Sequence, residues 1–74
     1  MPARNTWEDR AANLLKAELK RKGIKYAELI QRLDDIGVSE NERNLRNKIS
    51  RGKFTASFLL QCLEAAEVTD LRIS

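Results

Sequence analysis

Apolar residues recur at helical spacing in four segments of the chain, which are separated by glycines and polar residues. The first segment starts at Thr6, which Asp9 follows three positions later in a variant of the capping box. It ends at Gly23, directly after three cations that suit the last turn of a helix. We expect Trp7 to lie in the core. It belongs to a stripe of apolar residues on one side of this helix: Trp7, Ala11, Leu14, Leu15 and Leu19.

The second segment spans residues 25–36 and stops at Gly37. Its inward positions are Leu29, Ile30, Leu33 and Ile36. Asp34 and Asp35 stand near its end, where negative charge is mildly unfavourable because the helix dipole is negative there. This acidic pair indicates either a basic protein partner or an ion pair that the sequence does not identify.

The third segment opens at Ser39, which has Glu42 three residues later and so forms a Ser-x-x-Glu capping box. We expect a helix over residues 40–51 that closes at Gly52. Glu40 and Glu42 suit the first turn of such a helix. They would, however, oppose the approach of phosphates.

Only Leu45 and Ile49 are apolar in this third helix, and their spacing of four places them on one narrow seam. At about 100° per residue, the other side carries Arg43, Arg46, Asn47 and Ser50. Arginine can bind guanine through two hydrogen bonds and asparagine can bind adenine, so these residues are candidates for base contacts in the major groove of DNA. The alternative is an ordinary solvated helix face.

Further polar residues near this helix are candidates for contacts with the DNA backbone: Lys25, Tyr26, Asn44, Lys48, Arg51, Lys53 and Thr55. The free amides at the start of the helix that Thr55 caps would suit a phosphate. The alternatives are that Thr55 only caps, that the lysines only aid solubility, and that Tyr26 is a half-buried packing residue.

Thr55 starts the fourth helix, and Phe54 before it is placed for a hydrophobic staple. The helix has a broad apolar stripe: Phe58, Leu59, Cys62, Leu63 and Ala66. On this stripe we expect Cys62 to be an inert, buried thiol. The tail, residues 68–74, is compatible with an added strand, a final turn or a frayed end.

The length predicts one domain over residues 1–74. The four helical segments predict that it is all-α, a compact bundle of four helices, or of five if the tail adds one. One cysteine and no histidine exclude an intramolecular disulfide and do not favour a metal site. We expect neither a cofactor nor enzymatic activity, because the chain has no glycine-rich phosphate loop and no carboxylate pair isolated from cations. There is no apolar run near 18–20 residues and no secretory signal, so we expect a cytoplasmic protein that does not enter the membrane.

The net charge of +3 is unevenly distributed along the chain. Residues 4–22 and 40–53 each carry +3, residues 25–36 carry −1, and residues 54–74 carry −2. Positive charge concentrated in two segments is typical of a protein with one basic face, as nucleic-acid binding requires.

Several stretches of the sequence resemble the lambda-repressor-like, or Cro/C1-type, helix-turn-helix family, over about residues 10–68. The family's junction between its first two helices is similar to Gly23-Ile-Lys-Tyr-Ala-Glu-Leu, and its third helix to Asn44-Leu-Arg-Asn-Lys-Ile-Ser-Arg-Gly-Lys. Its fourth helix is similar to Phe58-Leu-Leu-Gln-Cys-Leu-Glu-Ala-Ala-Glu-Val. The chain resembles even more closely a family of short bacterial proteins of unassigned function that open with Trp-Glu-Asp-Arg-Ala-Ala-Asn-Leu-Leu-Lys.

The resemblance implies that helix 40–51 is a recognition helix. The chain departs from the lambda-repressor-like pattern in three ways: its second helix is about one turn longer, the turn over residues 37–41 is extended, and Ile30 replaces the usual small alanine where the two helices approach. These differences would change how deeply the third helix enters a groove.

We therefore expect a small DNA-binding protein and transcriptional regulator that acts as a homodimer, because a domain of this size reads only a few base pairs of double-stranded DNA. An exposed Trp7 with Leu71 and Ile73 would mark the dimer interface. The alternative is a protein-interaction module on the same scaffold, of the antiactivator or antitoxin type, which binds a protein regulator and does not read DNA. RNA binding has little support, since few aromatic residues remain for stacking.

Overall fold

A computed structural model describes residues 6–71, and these residues confirm the all-α prediction with four helices and no strand. The helices are α1 (Thr6–Lys22), α2 (Tyr26–Asp35), α3 (Glu42–Arg51) and α4 (Ala56–Ala65). Residues 68–71 of the tail are neither helix nor strand. The predictions for Ile73 and for the rest of the tail lie outside the described residues.

One core joins the four helices. Its fully buried side chains come from every helix: Leu15, Leu29, Leu33, Leu45, Ile49 and Cys62. Helix α3 packs against both α1 and α2, and α2 also packs against α4. Each amphipathic helix therefore buries its apolar side in a shared interior, which leaves the opposite sides to solvent.

The end of α3 approaches the start of α1 very closely. Gly52 caps α3 in the left-handed conformation at φ +69°, and its N–H is donated to the carbonyls of Lys48 and Ile49. A Cβ atom at Gly52 would lie 1.9 Å from the backbone oxygen of Glu8. Glycine is therefore required here both by its conformation and by the space available.

The start of α4 matches its prediction. The Thr55 hydroxyl accepts a hydrogen bond from the Phe58 N–H at 3.0 Å, which makes Thr55 the N-cap. Phe54, directly before the cap, packs its ring against that of Phe58 with the centroids 5.6 Å apart. This aromatic pair fixes the angle at which the chain enters α4.

Helix α3 begins later than the sequence predicts. The N-cap is Asn41, whose side-chain oxygen accepts from the Asn44 N–H at 2.8 Å, and the helix begins at Glu42. The predicted capping box at Ser39 is therefore wrong. Residues 36–41 connect α2 to α3, a longer connection than the three or four residues usual in a helix-turn-helix.

Two apolar residues predicted to face inward are exposed. The side chain of Trp7 is 70% exposed, and the Arg10 guanidinium lies 4.8 Å from its ring centroid. Ile36 is 44% exposed because α2 ends one residue earlier and Ile36 is only its C-cap. Both residues stand at helix ends, where the core no longer reaches. Ile30, which the same pattern placed inward, is half-buried against the core.

Candidate nucleic-acid interface

Helix α3 is held on the core by two residues only. Leu45 and Ile49 are both 0% exposed, whereas seven of the other eight residues of this helix are exposed and one is half-buried. The Asn41 cap fixes its first turn and Gly52 its last. The fold therefore presents most of the surface of α3 to solvent, with four cations on it.

The four candidates for base contacts differ in their surroundings. Arg43 and Asn47 are exposed, and their side chains have no hydrogen bond or ion pair among residues 6–71. Arg46 is bound to Glu42 by an Nη2–Oε2 contact of 2.6 Å, and its Cζ lies 5.6 Å from the Tyr26 ring centroid. Ser50 is half-buried and already has an interaction within the fold. The open positions on this face are thus Arg43 and Asn47.

The Arg46–Glu42 pair is a weak restraint. Both side chains are about half exposed, and such i, i+4 pairs contribute roughly 0.3–0.5 kcal/mol. The guanidinium can therefore leave Glu42 at little cost when a stronger acceptor is offered. Arg46 lies over the ring of Tyr26 at the start of α2, so α2 and α3 meet at this point of the surface.

Among the candidates for backbone contacts, Lys25, Asn44 and Arg51 are exposed, and their side chains have no hydrogen bond or ion pair within the described part of the chain. Tyr26 is half-buried as the first residue of α2. The Thr55 hydroxyl is occupied by its capping hydrogen bond.

Two candidate lysines are paired with glutamates that lie outside α3. Lys53 Nζ lies 3.7 Å from Glu8 Oε2, across the contact between the end of α3 and the start of α1. Lys48 is held more firmly, with Nζ 2.7 Å from Glu40 Oε2 and 4.8 Å from the ring centroid of Phe58. Since the Glu40 side chain is only 10% exposed, this pair is less screened than the others on α3.

The buried thiol lies near this pair. The pKa of Cys62 is raised to about 12, mainly by burial and to a smaller extent by the charge of Glu40, while the charge of Lys48 opposes this rise. The thiolate is the reactive form of cysteine, so the thiol stays protonated and unreactive near neutral pH. The prediction that Cys62 lies buried in the core is confirmed, since it is 0% exposed.

Two exposed aspartates stand at the end of α2. Asp34 and Asp35 are exposed, and neither carboxylate has a hydrogen bond or ion pair in residues 6–71. Nearby, Arg32 bridges two helices: its Nε binds Glu28 Oε2 at 2.9 Å and its Nη1 binds the Ala65 carbonyl at 3.1 Å. The ion pair that would have explained the two aspartates is therefore not formed within the described chain.

The sequence interpretation missed a cluster of lysines on α1. Lys16 and Lys20 line the same surface cavity as Lys25, Tyr26 and Arg46, between α1, the start of α2 and α3. Their spacing of four along α1 was a usable signal, because it places two like charges on one side of the helix. What the sequence could not show is that this side faces the start of α2.

Within the described range, no group of three or more histidine, cysteine, aspartate or glutamate residues is arranged to hold a metal ion. None of the helices in that range combines the length and the apolar character that crossing a membrane requires.

Residues 7–71 match the model of a protein family described as a domain of unknown function (DUF6471), and the chain belongs to that family. Neither a curated protein nor a solved structure matches the chain.

Proposed function

We propose that this member of the family is a small DNA-binding protein that regulates transcription, with α3 as the helix that enters the major groove. The observation that carries the proposal is the way in which α3 packs on the core, with a narrow buried side and a wide exposed side. Leu45 and Ile49 are buried completely, while Arg43 and Asn47 face solvent with no side-chain hydrogen bond or ion pair in residues 6–71. Side chains with planar, two-pronged hydrogen bonding are the ones that read base edges.

The energies favour transfer of Arg46 from Glu42 to a base. An arginine that binds guanine through two hydrogen bonds contributes about 1–3 kcal/mol of discrimination. The exposed Arg46–Glu42 pair opposes this with roughly 0.3–0.5 kcal/mol. In the free protein the pair therefore holds Arg46 next to Glu42 but does not prevent Arg46 from binding a base.

Positively charged residues at both ends of α3 support contacts with phosphates. Lys25 precedes α2, whose first residue Tyr26 lies under Arg46, and Arg51 and Lys53 flank the exit of α3 at Gly52. One helix of this length reads only a few base pairs. We therefore propose a homodimer that binds two half-sites about one helical turn apart, roughly 34–36 Å.

The test is a fluorescence-polarisation titration of labelled random duplexes over a series of salt concentrations, followed by selection of preferred sequences from a random pool. We expect affinity to fall with salt at a slope of about −0.9 for each phosphate neutralised, because bound counterions are released. The test variant is Arg43→Ala/Asn47→Ala on α3. Its matched control is Lys22→Ala/Asn13→Ala on α1, which also removes one cation and one asparagine. Binding weaker than about millimolar at low salt, or equal losses in both variants, would refute the proposal.

A second candidate is a protein-interaction module that does not read DNA. The observation that favours it is the exposed Asp34 and Asp35 without ion pairs among residues 6–71, next to the partly exposed Ile36. Carboxylates around an apolar residue suit a basic, amphipathic partner. This alternative would be established if the chain does not bind DNA in the titration but binds a protein partner, and if Asp34→Asn/Asp35→Asn abolishes binding to that partner.

A further inference from the structure

A surface cavity of about 440 Å³ lies between α1, the start of α2 and the first part of α3. Four of the residues that line it are cations: Lys16, Lys20, Lys25 and Arg46. Its size falls within the range of about 300–1,000 Å³ that is usual for small-molecule sites.

Positive charge predominates in the lining of this cavity, with four cations and one carboxylate. Among residues 6–71, Glu42 is the only acidic residue of the lining, and it is already bound to Arg46 at 2.6 Å. None of the three lysines has a hydrogen bond or ion pair in residues 6–71. Lys16 and Lys20 also stand four residues apart on α1, where like charges repel each other. An anion in the cavity would relieve that repulsion.

The rest of the lining is apolar or aromatic. Leu19 and Ile24 are core residues that reach the cavity, and Ala27 and Tyr26 contribute a methyl group and a ring. A site with apolar surface, an aromatic ring and a few convergent charges is suited to a ligand that has both a flat ring and an anionic group.

We propose that this cavity binds a small organic phosphate, with its ring against Leu19, Ile24 and Tyr26 and its phosphate among the lysines. Lysine ammonium groups are compact charges that bind phosphate. The first amides of α2 add to this preference, since Lys25 stands at the N-cap without a side-chain capping hydrogen bond. A phosphate monoester of about the size of a nucleoside monophosphate has both the flat ring and the anionic group.

The same cavity overlaps the proposed DNA-binding surface. Lys25, Tyr26 and Arg46 line it and are also candidates for DNA contacts. An organic phosphate bound here would occupy these side chains and so weaken binding to a duplex. This regulatory consequence rests on the proposed function, whereas binding of the phosphate itself does not.

The test is isothermal titration of the full chain with 1-naphthyl phosphate, in the absence of DNA. The comparison compounds are 1-naphthol, which lacks the charge, and inorganic phosphate, which lacks the ring. We expect 1-naphthyl phosphate to bind about tenfold more tightly than either, because only this compound uses both parts of the cavity. Amide NMR shifts should change most over residues 24–27.

Two variants localise the site. Lys20→Gln should weaken binding of 1-naphthyl phosphate by about three- to tenfold, since it removes one charged contact. Lys22→Gln, on the same helix but outside the lining, should leave it unchanged. Equal affinity for inorganic phosphate, equal losses in the two variants, or preferential binding of a glutamate-rich peptide would overturn the proposal.

A competition step separates this proposal from the DNA proposal. If the chain binds a duplex, saturating 1-naphthyl phosphate should weaken that binding at least severalfold, and unchanged affinity would overturn the overlap of the two sites. If the chain binds no duplex, the titrations without DNA still decide whether the cavity is a phosphate site.

Discussion

Helices α3 and α4 have ten residues each and are joined by a short connection, yet they use their surfaces in opposite ways. In α4, four residues are buried and none is a cation: Phe58, Cys62, Leu63 and Ala65. In α3, only Leu45 and Ile49 are buried, and four of the remaining residues are cations. Helix α4 therefore serves mainly the core, whereas α3 takes little from the core and exposes most of its side chains.

The difference teaches which residues folding can explain. Most of the composition of α4 follows from burial, because each of its four buried apolar residues contributes by leaving water. The arginines and asparagines on the outer side of α3 contribute little in this way. Substitution of such surface residues usually changes the free energy of unfolding by less than about 0.5 kcal/mol. The proposed binding of a duplex would account for their presence.

The junction between the two helices gives the largest expected effect. Gly52→Ala should lower the free energy of unfolding by about 3–5 kcal/mol, combining a left-handed conformation with a clash against the Glu8 backbone. Gly37→Ala is the matched control, because Gly37 also has a positive φ but nothing lies within 4 Å of a Cβ there. Its cost should be about 1–2 kcal/mol. Urea unfolding of both variants measures the difference, and equal costs would contradict the close approach.

A matched pair of leucines tests the seam of α3. Leu45→Ala should cost about 3 kcal/mol, because Leu45 is fully buried and its loss leaves a cavity under α3. Leu60→Ala on α4 should cost less than about 0.5 kcal/mol, since Leu60 is 65% exposed. Thermal or urea unfolding is the measurement. A small effect at Leu45 would mean that α3 is held by something other than its seam.

The outer side of α3 should show the reverse pattern, with effects on binding and not on stability. Asn47→Ala should cost about 1–3 kcal/mol of binding to a selected duplex and relax the preference at one base pair, while unfolding changes by less than about 0.5 kcal/mol. Lys53→Ala should instead weaken all sequences alike and reduce the salt slope by about 1. Sequence-blind losses in both variants would show that Asn47 does not read a base.

The smallest expected effect comes from the acidic partner of Arg46. Glu42→Gln removes the 2.6 Å ion pair and one carboxylate from the proposed interface, so duplex affinity should rise by about two- to fivefold. Glu28→Gln, which removes the ion pair with Arg32 on α2, is the matched control and should leave affinity unchanged. A loss of affinity in Glu42→Gln would indicate that Glu42 orients Arg46 or itself accepts from a cytosine.

Helix positions and most helix ends could be predicted from the sequence because their signals are local. Gly52 and Thr55 act within one turn of their own position, so spacing alone identifies them. The sequence pattern predicts the wrong start for α3, because Ser39 and Asn41 are both good capping residues and spacing alone does not choose between them. Trp7 was misplaced because periodicity continues past the point where neighbouring helices cover α1.

The candidate site was predictable only in part. The seam of Leu45 and Ile49 indicated which residues of α3 would face solvent, and the structure agrees for Arg43, Arg46 and Asn47. Ser50 is half-buried instead. The pairing of Lys48 with Glu40 was not predictable, because Glu40 is expected inside the helix, whereas α3 begins at Glu42. The pairing of Lys53 with Glu8 depends on the packing of the end of α3 against α1. The same holds for the meeting of Lys16 and Lys20 with Lys25.

The contact of Gly52 with the Glu8 carbonyl has a practical consequence for spectroscopy. Trp7 is the only indole of the chain, stands next to Glu8 and has a cation over its ring. The fluorescence emission of Trp7 should therefore report whether the end of α3 is packed against the start of α1. Unfolding or ligand-induced movement of that exit can be followed without attaching a dye.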